Sequence, residues 1–104
     1  MLNIPIKSVP NQSLTIRVNN DIYNIEIKSI NNLMSISFVR NNIVIIENIR
    51  AIPMIPLIPY KYLYDGYGNF AFLTMNDEYP DYNLFNISQS LVFLTPEEIE
   101  SVGI

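Results

Sequence analysis

The residues with the greatest capacity for chemistry are three carboxylates that lie close together, Asp77, Glu78 and Asp81. Such a density of oxygen ligands could hold a hard cation such as Ca²⁺, and an opposed pair could serve as general acid and base. The spacing does not match an EF-hand loop, and no neighbouring motif supplies a pocket or a charge that would shift a pKa. We therefore expect a solvated acidic loop with no bound metal.

The composition restricts other catalytic chemistry, because the chain contains no His, Cys or Trp. A Ser–His or Cys–His nucleophile pair, a thiolate and an imidazole metal ligand are all excluded. Carboxylates, lysines, tyrosines and hydroxyls are the reactive groups that remain. We predict that the chain is not an enzyme and that it carries no cofactor.

A second group of residues favours binding rather than catalysis. Tyr60, Tyr62 and Tyr64 recur at every second position, which would place the three rings on one face of an extended segment. Tyrosine provides a large amphipathic contact area at a low cost in side-chain entropy. The row predicts either a contact surface or rings that cover a small core while their hydroxyls stay in water.

The segment before these tyrosines carries a proline at every third position, at Pro53, Pro56 and Pro59. This period is typical of a polyproline II helix, which leaves the apolar residues on the remaining edges. Such a helix could be a ligand for an aromatic groove in a partner. The interpretation that we favour is a stiff connector whose apolar residues close one end of the fold.

The first half of the chain alternates apolar and polar residues, as β-strands with one buried face do. The apolar positions are Leu14, Ile16 and Val18, then Tyr23, Ile25 and Ile27, then Met34, Ile36 and Phe38. Each run ends in an Asn doublet, and Asn tolerates the positive φ that tight hairpin turns require. We assign Arg40 to the polar side of its strand, with Ser35 and Ser37. These runs predict an antiparallel meander.

Further segments complete the predicted architecture. Additional strands are expected at Leu2–Lys7, Ile43–Ile49, Asn69–Met75 and Ser90–Leu94. The second of these is apolar on both faces, as expected of a central strand covered on both sides.

A short helix is predicted from Thr95 through about Val102, with Pro96 at its first position and Glu98 completing a capping box. The sequence thus predicts an all-β fold in a single domain, residues 1–104. We expect a small antiparallel β-barrel or sandwich of about seven strands with a short C-terminal helix.

The surface is short of charge: charged residues make up 15% of the chain, against about 25% in ordinary soluble domains. The net charge is −4 and the six cations are dispersed, which argues against a nucleic-acid partner. The sequence contains no run of about 18 apolar residues, so no membrane-spanning helix is predicted. The shortage is sharpest between Ala51 and Leu63, where Lys61 is the only charged residue. Such a neutral stretch indicates a surface that a protein partner covers.

Several segments also carry a family resemblance through their order. They are Ile4-Pro5-Ile6, Pro10-Asn11-Gln12 ahead of Leu14–Val18, Tyr23-x-Ile25-x-Ile27, Asn48-x-Arg50 with Pro53 and Leu57 behind it, and Leu91–Leu94 with a short acidic tail. In this order they resemble the small baseplate plug family of contractile-tailed bacteriophages, first named from a cyanophage, over nearly the whole chain.

The resemblance implies a non-enzymatic virion protein of the tail baseplate. It implies a β-rich module at the central axis, which helps close the tail tube and connects hub proteins. The implied partners are spike, tube or tape-measure components, with several copies of the chain per particle and assembly in the host cytoplasm.

We predict a partner-binding surface within the neutral stretch. Its residues are Met54, Ile55, Leu57, Ile58, Tyr60, Tyr62 and Tyr64. Replacing Leu57 or Tyr62 by Asp is expected to block assembly without unfolding the domain. The alternative function is a small β-barrel module that recognises saccharide or another protein through its tyrosine-rich surface.

Overall fold

Seven strands in two antiparallel sheets make up the fold, and the computed structural model describes residues 1–101. Strands β1 (Leu2–Ile4), β6 (Asn69–Leu73) and β7 (Ser90–Leu94) form a sheet in the order β1-β7-β6. Strands β2 (Gln12–Val18), β3 (Asp21–Ile30), β4 (Leu33–Arg40) and β5 (Ile43–Arg50) form the other sheet in chain order. The helices are α1 (Lys61–Tyr64), α2 (Pro96–Ser101) and a 3-10 turn at Tyr82–Leu84. The predicted all-β sandwich with a C-terminal helix is confirmed.

The four-stranded sheet is a meander built on Asn-containing hairpins. Asn31 and Asn32 have φ of 51° and 64°, and Asn41 and Asn42 have φ of 52° and 66°. Positive φ at both loop residues is the pattern of a type I′ turn, whose twist matches that of the flanking strands. Asn19 in the first hairpin is also left-handed, with φ of 57°. The Asn doublets therefore form the turns as predicted.

Aromatic side chains from both sheets form the centre of the core. Phe70 of β6 meets Tyr23 of β3 edge-on, with ring centroids 5.0 Å apart. The same ring stacks on Phe38 of β4 at 4.7 Å and meets Phe93 of β7 at 5.2 Å. All four side chains are fully or almost fully buried. The inward faces of the two sheets thus pack against each other as in a sandwich.

Strand β5 lies at an edge of its sheet, so the prediction of a central strand at Ile43–Ile49 is wrong. Ile43 and Val44 are exposed, while Ile45, Ile46 and Ile49 pack against the core. The pairing with β4 shifts register twice, and Asn48 in the second irregular stretch has φ of 51°. Such bulges turn consecutive residues toward one face, which breaks the simple alternation of sides. An edge strand can therefore have a sequence that resembles a buried one.

Helix α2 covers the outer face of the three-stranded sheet. The Thr95 amide donates to Glu98 Oε1 at 3.0 Å, and the Glu98 amide donates to Thr95 Oγ1 at 3.2 Å. This is the predicted capping box, and it leaves Ile99 packed on Val92 and Leu94. The predicted helix end at Val102 lies outside the described residues. Within residues 1–101 no helix is long and apolar enough to span a bilayer.

Gly68 permits the close approach that starts β6. It has φ of +104°, and an added Cβ would lie 2.5 Å from the Leu94 carbonyl oxygen and 2.5 Å from Phe93 Cζ. Gly66 has φ of +78° but open space around it. We expect Gly68→Ala to lower the free energy of unfolding by about 3 kcal/mol and Gly66→Ala by about 1 kcal/mol. Urea denaturation of the two variants tests this, and equal losses would contradict it.

Candidate partner-binding surface

The proline-rich connector, residues 52–59, follows the outer edge of β6. The Met54 amide donates to the Phe72 carbonyl at 2.8 Å, and the Leu57 amide donates to the Phe70 carbonyl at 2.8 Å. Met54 has φ of 61°, which interrupts the left-handed helix that the proline period would otherwise form. The connector is therefore held along β6 by backbone hydrogen bonds, and the polyproline II expectation is wrong.

Asn69 fixes the other end of the connector. Its Oδ1 accepts from the Ile58 amide at 2.9 Å, and its Nδ2 donates to the Ile58 carbonyl at 2.9 Å. Asn69 is fully buried, so both bonds form away from water. The Asn69 side chain thus makes the same two hydrogen bonds to Ile58 that the backbone of a neighbouring strand would make. This clamp gives the connector a fixed backbone despite its lack of regular secondary structure.

The seven predicted surface residues differ in burial: two are buried, four are exposed, and Tyr64 is half-buried. Leu57 and Ile58 are 3% and 1% exposed and belong to the same buried cluster as Phe70 and Phe72 of β6. Assigning these two residues to a contact surface is therefore wrong. The exposed members are Met54, Ile55, Tyr60 and Tyr62, which we call the connector surface.

The tyrosines do not form an extended row. Residues 61–64 make one helical turn, closed by a hydrogen bond from the Asp65 amide to the Lys61 carbonyl at 2.8 Å. Tyr60 and Tyr62 are exposed and stack on each other, with centroids 5.9 Å apart. Tyr64 is half-buried and packs against the core. The predicted face of three coplanar side chains is thus corrected to one exposed pair.

A shallow apolar groove separates β5 from the connector. It has a volume of about 390 Å³. Its lining includes Ile49, Ile52, Ile55, Pro56, Pro59 and Tyr64. Of its lining residues within the described chain, Arg50 alone is charged. A site of this character suits the apolar side chains of a protein segment.

Arg40 holds helix α1 against the four-stranded sheet, a role that the sequence reading missed. Its Nη1 donates to the Leu63 carbonyl at 2.8 Å, and its guanidinium carbon lies 3.5 Å from the centroid of the Tyr67 ring. The side chain is buried, which corrects its assignment to the polar side of β4. Arg40 follows Ile36 and Phe38 at every second position of β4, so the alternation of the strand places it on the same inward face. That alternation was visible in the sequence.

Arg40 also affects the pKa of the buried Tyr23 side chain. Burial raises the pKa of the Tyr23 phenol, and the nearby positive charge of Arg40 acts in the opposite direction. The neutral phenol is thus the form that packs in the core at neutral pH.

One comparison with known proteins decides the family. The family model described as "Cyanophage baseplate Pam3 plug gp18" matches residues 1–97 of the 104 in the chain. The chain belongs to this family. A search of curated proteins finds no match.

Membership in the baseplate plug family establishes the coarse function. The chain is a structural protein of a phage tail baseplate, and it associates with other baseplate components. The match includes every strand and the whole connector surface. The resemblance inferred from the order of sequence segments is confirmed.

In this baseplate plug protein two of the three carboxylates make separate local contacts, and the third is exposed. Asp81 Oδ1 accepts from the Asn83 amide at 3.0 Å and caps the 3-10 turn. Glu78 lies 3.5 Å from the Ser88 hydroxyl, and Asp77 is exposed. In the described part of the chain no three acidic side chains converge to hold a metal ion. The loop thus serves local structure.

Proposed function

We propose that the chain is a non-catalytic plug at the central axis of a contractile tail baseplate. There it helps close the tail tube and joins the surrounding hub proteins, with spike, tube or tape-measure components as partners. Several copies, each acting as one unit over residues 1–104, assemble into the particle in the host cytoplasm.

The observation that carries this proposal is the pre-ordered connector surface. Met54 and Ile55 lie near one end of the connector, and the stacked pair Tyr60 and Tyr62 lies at the other. Exposed apolar and aromatic side chains on a rigid backbone lose little entropy on binding. The apolar groove beside them favours an apolar segment of a hub protein as the occupant.

The matched variants Tyr62→Asp and Ile87→Asp test the proposal. The two side chains are 77% and 78% exposed, so either change leaves the core intact. Tyr62 is part of the connector surface, whereas Ile87 lies in the loop before β7. A central aromatic contact contributes about 2 kcal/mol or more, so Tyr62→Asp should reduce the yield of complete tails by about tenfold or more. Ile87→Asp should change it little.

Electron microscopy of phage lysates, with infectivity counts, provides the measurement. Equal tail yields for the two variants would contradict the proposed surface. Complete tails that adsorb poorly to host cells only in Tyr62→Asp would instead favour saccharide recognition by the tyrosine pair. Circular dichroism of both purified variants provides the folding control.

A further inference from the structure

The outer strand edges of the two sheets differ in how they are protected against further pairing. The β6 edge is covered by the connector. Strand β1 has three residues and is followed by a proline, and β5 is interrupted by its register shifts. Short strands, prolines and bulges are the usual devices that prevent edge-to-edge association. Strand β2 has seven residues with no proline and no bulge, and it carries a single charge at Arg17.

The β2 edge is regular over its whole length. All seven residues from Gln12 to Val18 pair with β3 in one continuous register. Within residues 1–101 no other strand pairs with β2. In a two-residue hairpin the residues that flank the loop exchange backbone hydrogen bonds, so Val18 and every second residue before it bond to β3. The amides and carbonyls of Ser13, Thr15 and Arg17 consequently point away from the sheet.

We propose that β2 pairs with β2 of a second copy, antiparallel and about a two-fold axis at Thr15. This register places Thr15 opposite Thr15, and Ser13 opposite Arg17 on both sides of the axis. The three outward-pointing residue pairs exchange about six backbone hydrogen bonds in an antiparallel ladder. The two four-stranded sheets then become one sheet that continues across the axis.

The side chains of β2 are complementary to those of a second copy. On the inner face Leu14 meets Ile16 of the other copy, and both are half-buried in the single chain. On the outer face the charge of Arg17 meets the neutral Ser13, and Thr–Thr pairs are favourable across strands. A parallel in-register arrangement would instead set Arg17 beside Arg17, and like charges side by side are unfavourable. The antiparallel second copy is therefore the occupant that this edge fits.

A single cysteine tests the pairing directly, because the chain has no native cysteine. Opposed residues of a hydrogen-bonded pair have Cα atoms about 5.5 Å apart, within the range that a disulfide spans. Thr15→Cys should therefore crosslink under mild oxidation into a covalent dimer. Glu26→Cys is the matched control, because Glu26 is exposed on the neighbouring strand but lies away from the axis.

The expected result follows from the effective concentration of the paired thiols. Within the dimer this concentration is in the millimolar range, so at about 100 μM chain Thr15→Cys should crosslink about tenfold faster than Glu26→Cys. Equal crosslinking rates would overturn the proposal. The proposal would also be overturned if Thr15→Cys formed a disulfide with an engineered cysteine of a different tail protein in preference to the Thr15→Cys dimer.

A proline variant supplies an independent measurement. Thr15→Pro removes an amide that points outward, so the ladder with β3 stays intact while the edge can no longer pair. Sedimentation should find the parent chain in a monomer–dimer equilibrium and Thr15→Pro monomeric, with matching circular dichroism spectra. An unchanged equilibrium in folded Thr15→Pro would refute the β2 interface. The substitutions at Thr15 leave the connector surface unchanged. Loss of the β2 dimer would therefore not bear on the proposed function, and the two proposals can fail separately.

Discussion

Replacing Leu57 by Asp is expected to unfold the chain rather than to release it from a partner. The Leu57 side chain is buried in the core beneath the connector. Loss of a buried leucine costs about 2–5 kcal/mol, and burial of an unpaired carboxylate adds to that cost. We expect the free energy of unfolding to fall by about 5 kcal/mol, much of the total stability of a domain of this size. Urea denaturation followed by circular dichroism measures the loss.

Ile55→Asp is the matched control for this prediction. Ile55 lies two positions earlier in the same connector, and its side chain is exposed. Its replacement should change the free energy of unfolding by about 0.5 kcal/mol or less. It should still weaken partner binding, because Ile55 belongs to the connector surface. A stable, cooperative Leu57→Asp variant would contradict the placement of the connector over the core.

Removing the Asn69 side chain should produce the second large effect. Asn69→Ala leaves the buried Ile58 amide and carbonyl without their partners. Each buried polar group without a hydrogen bond costs about 1–3 kcal/mol, so we expect a loss of about 4 kcal/mol in the free energy of unfolding. Asn24→Ala is the control, because Asn24 is exposed and its side chain accepts a hydrogen bond from the Thr15 hydroxyl at the surface. That variant should lose about 0.5 kcal/mol or less.

Hydrogen exchange locates the effect of Asn69→Ala within the chain. In the parent protein the amides of Met54, Leu57 and Ile58 are all hydrogen-bonded to β6. We expect Asn69→Ala to lose protection first at Ile58 and Leu57, while the amides of β3 and β4 keep theirs under conditions where the chain stays folded. Uniform loss across the chain would mean that the Asn69 bonds do not hold the connector in particular.

The sequence predicts the meander well because its signals are local. A strand with one buried face must alternate, and a two-residue hairpin must contain residues that accept positive φ. Both conditions are visible in runs such as Tyr23 to Lys28 and in the doublet Asn41-Asn42. The capping box at Thr95 and Glu98 is likewise a contact between residues three positions apart. These features needed no tertiary information.

The errors occur where distant residues decide the conformation. The connector follows β6 because Asn69 and the carbonyls of Phe70 and Phe72 bind it, and none of these is near it in sequence. The proline period indicates a helix that these bonds do not permit. The edge position of β5 depends in the same way on which strands pair, and its bulges conceal it. Composition located the neutral stretch but could not separate its buried residues from its exposed ones.

A cryo-electron microscopy reconstruction of the tail baseplate that contains this chain tests the axial position and the connector surface together. We predict density for the chain at the central axis, with Met54, Ile55, Tyr60 and Tyr62 buried against a different baseplate protein. A chain located away from the axis, or a connector surface that faces solvent in the assembled particle, would contradict the account.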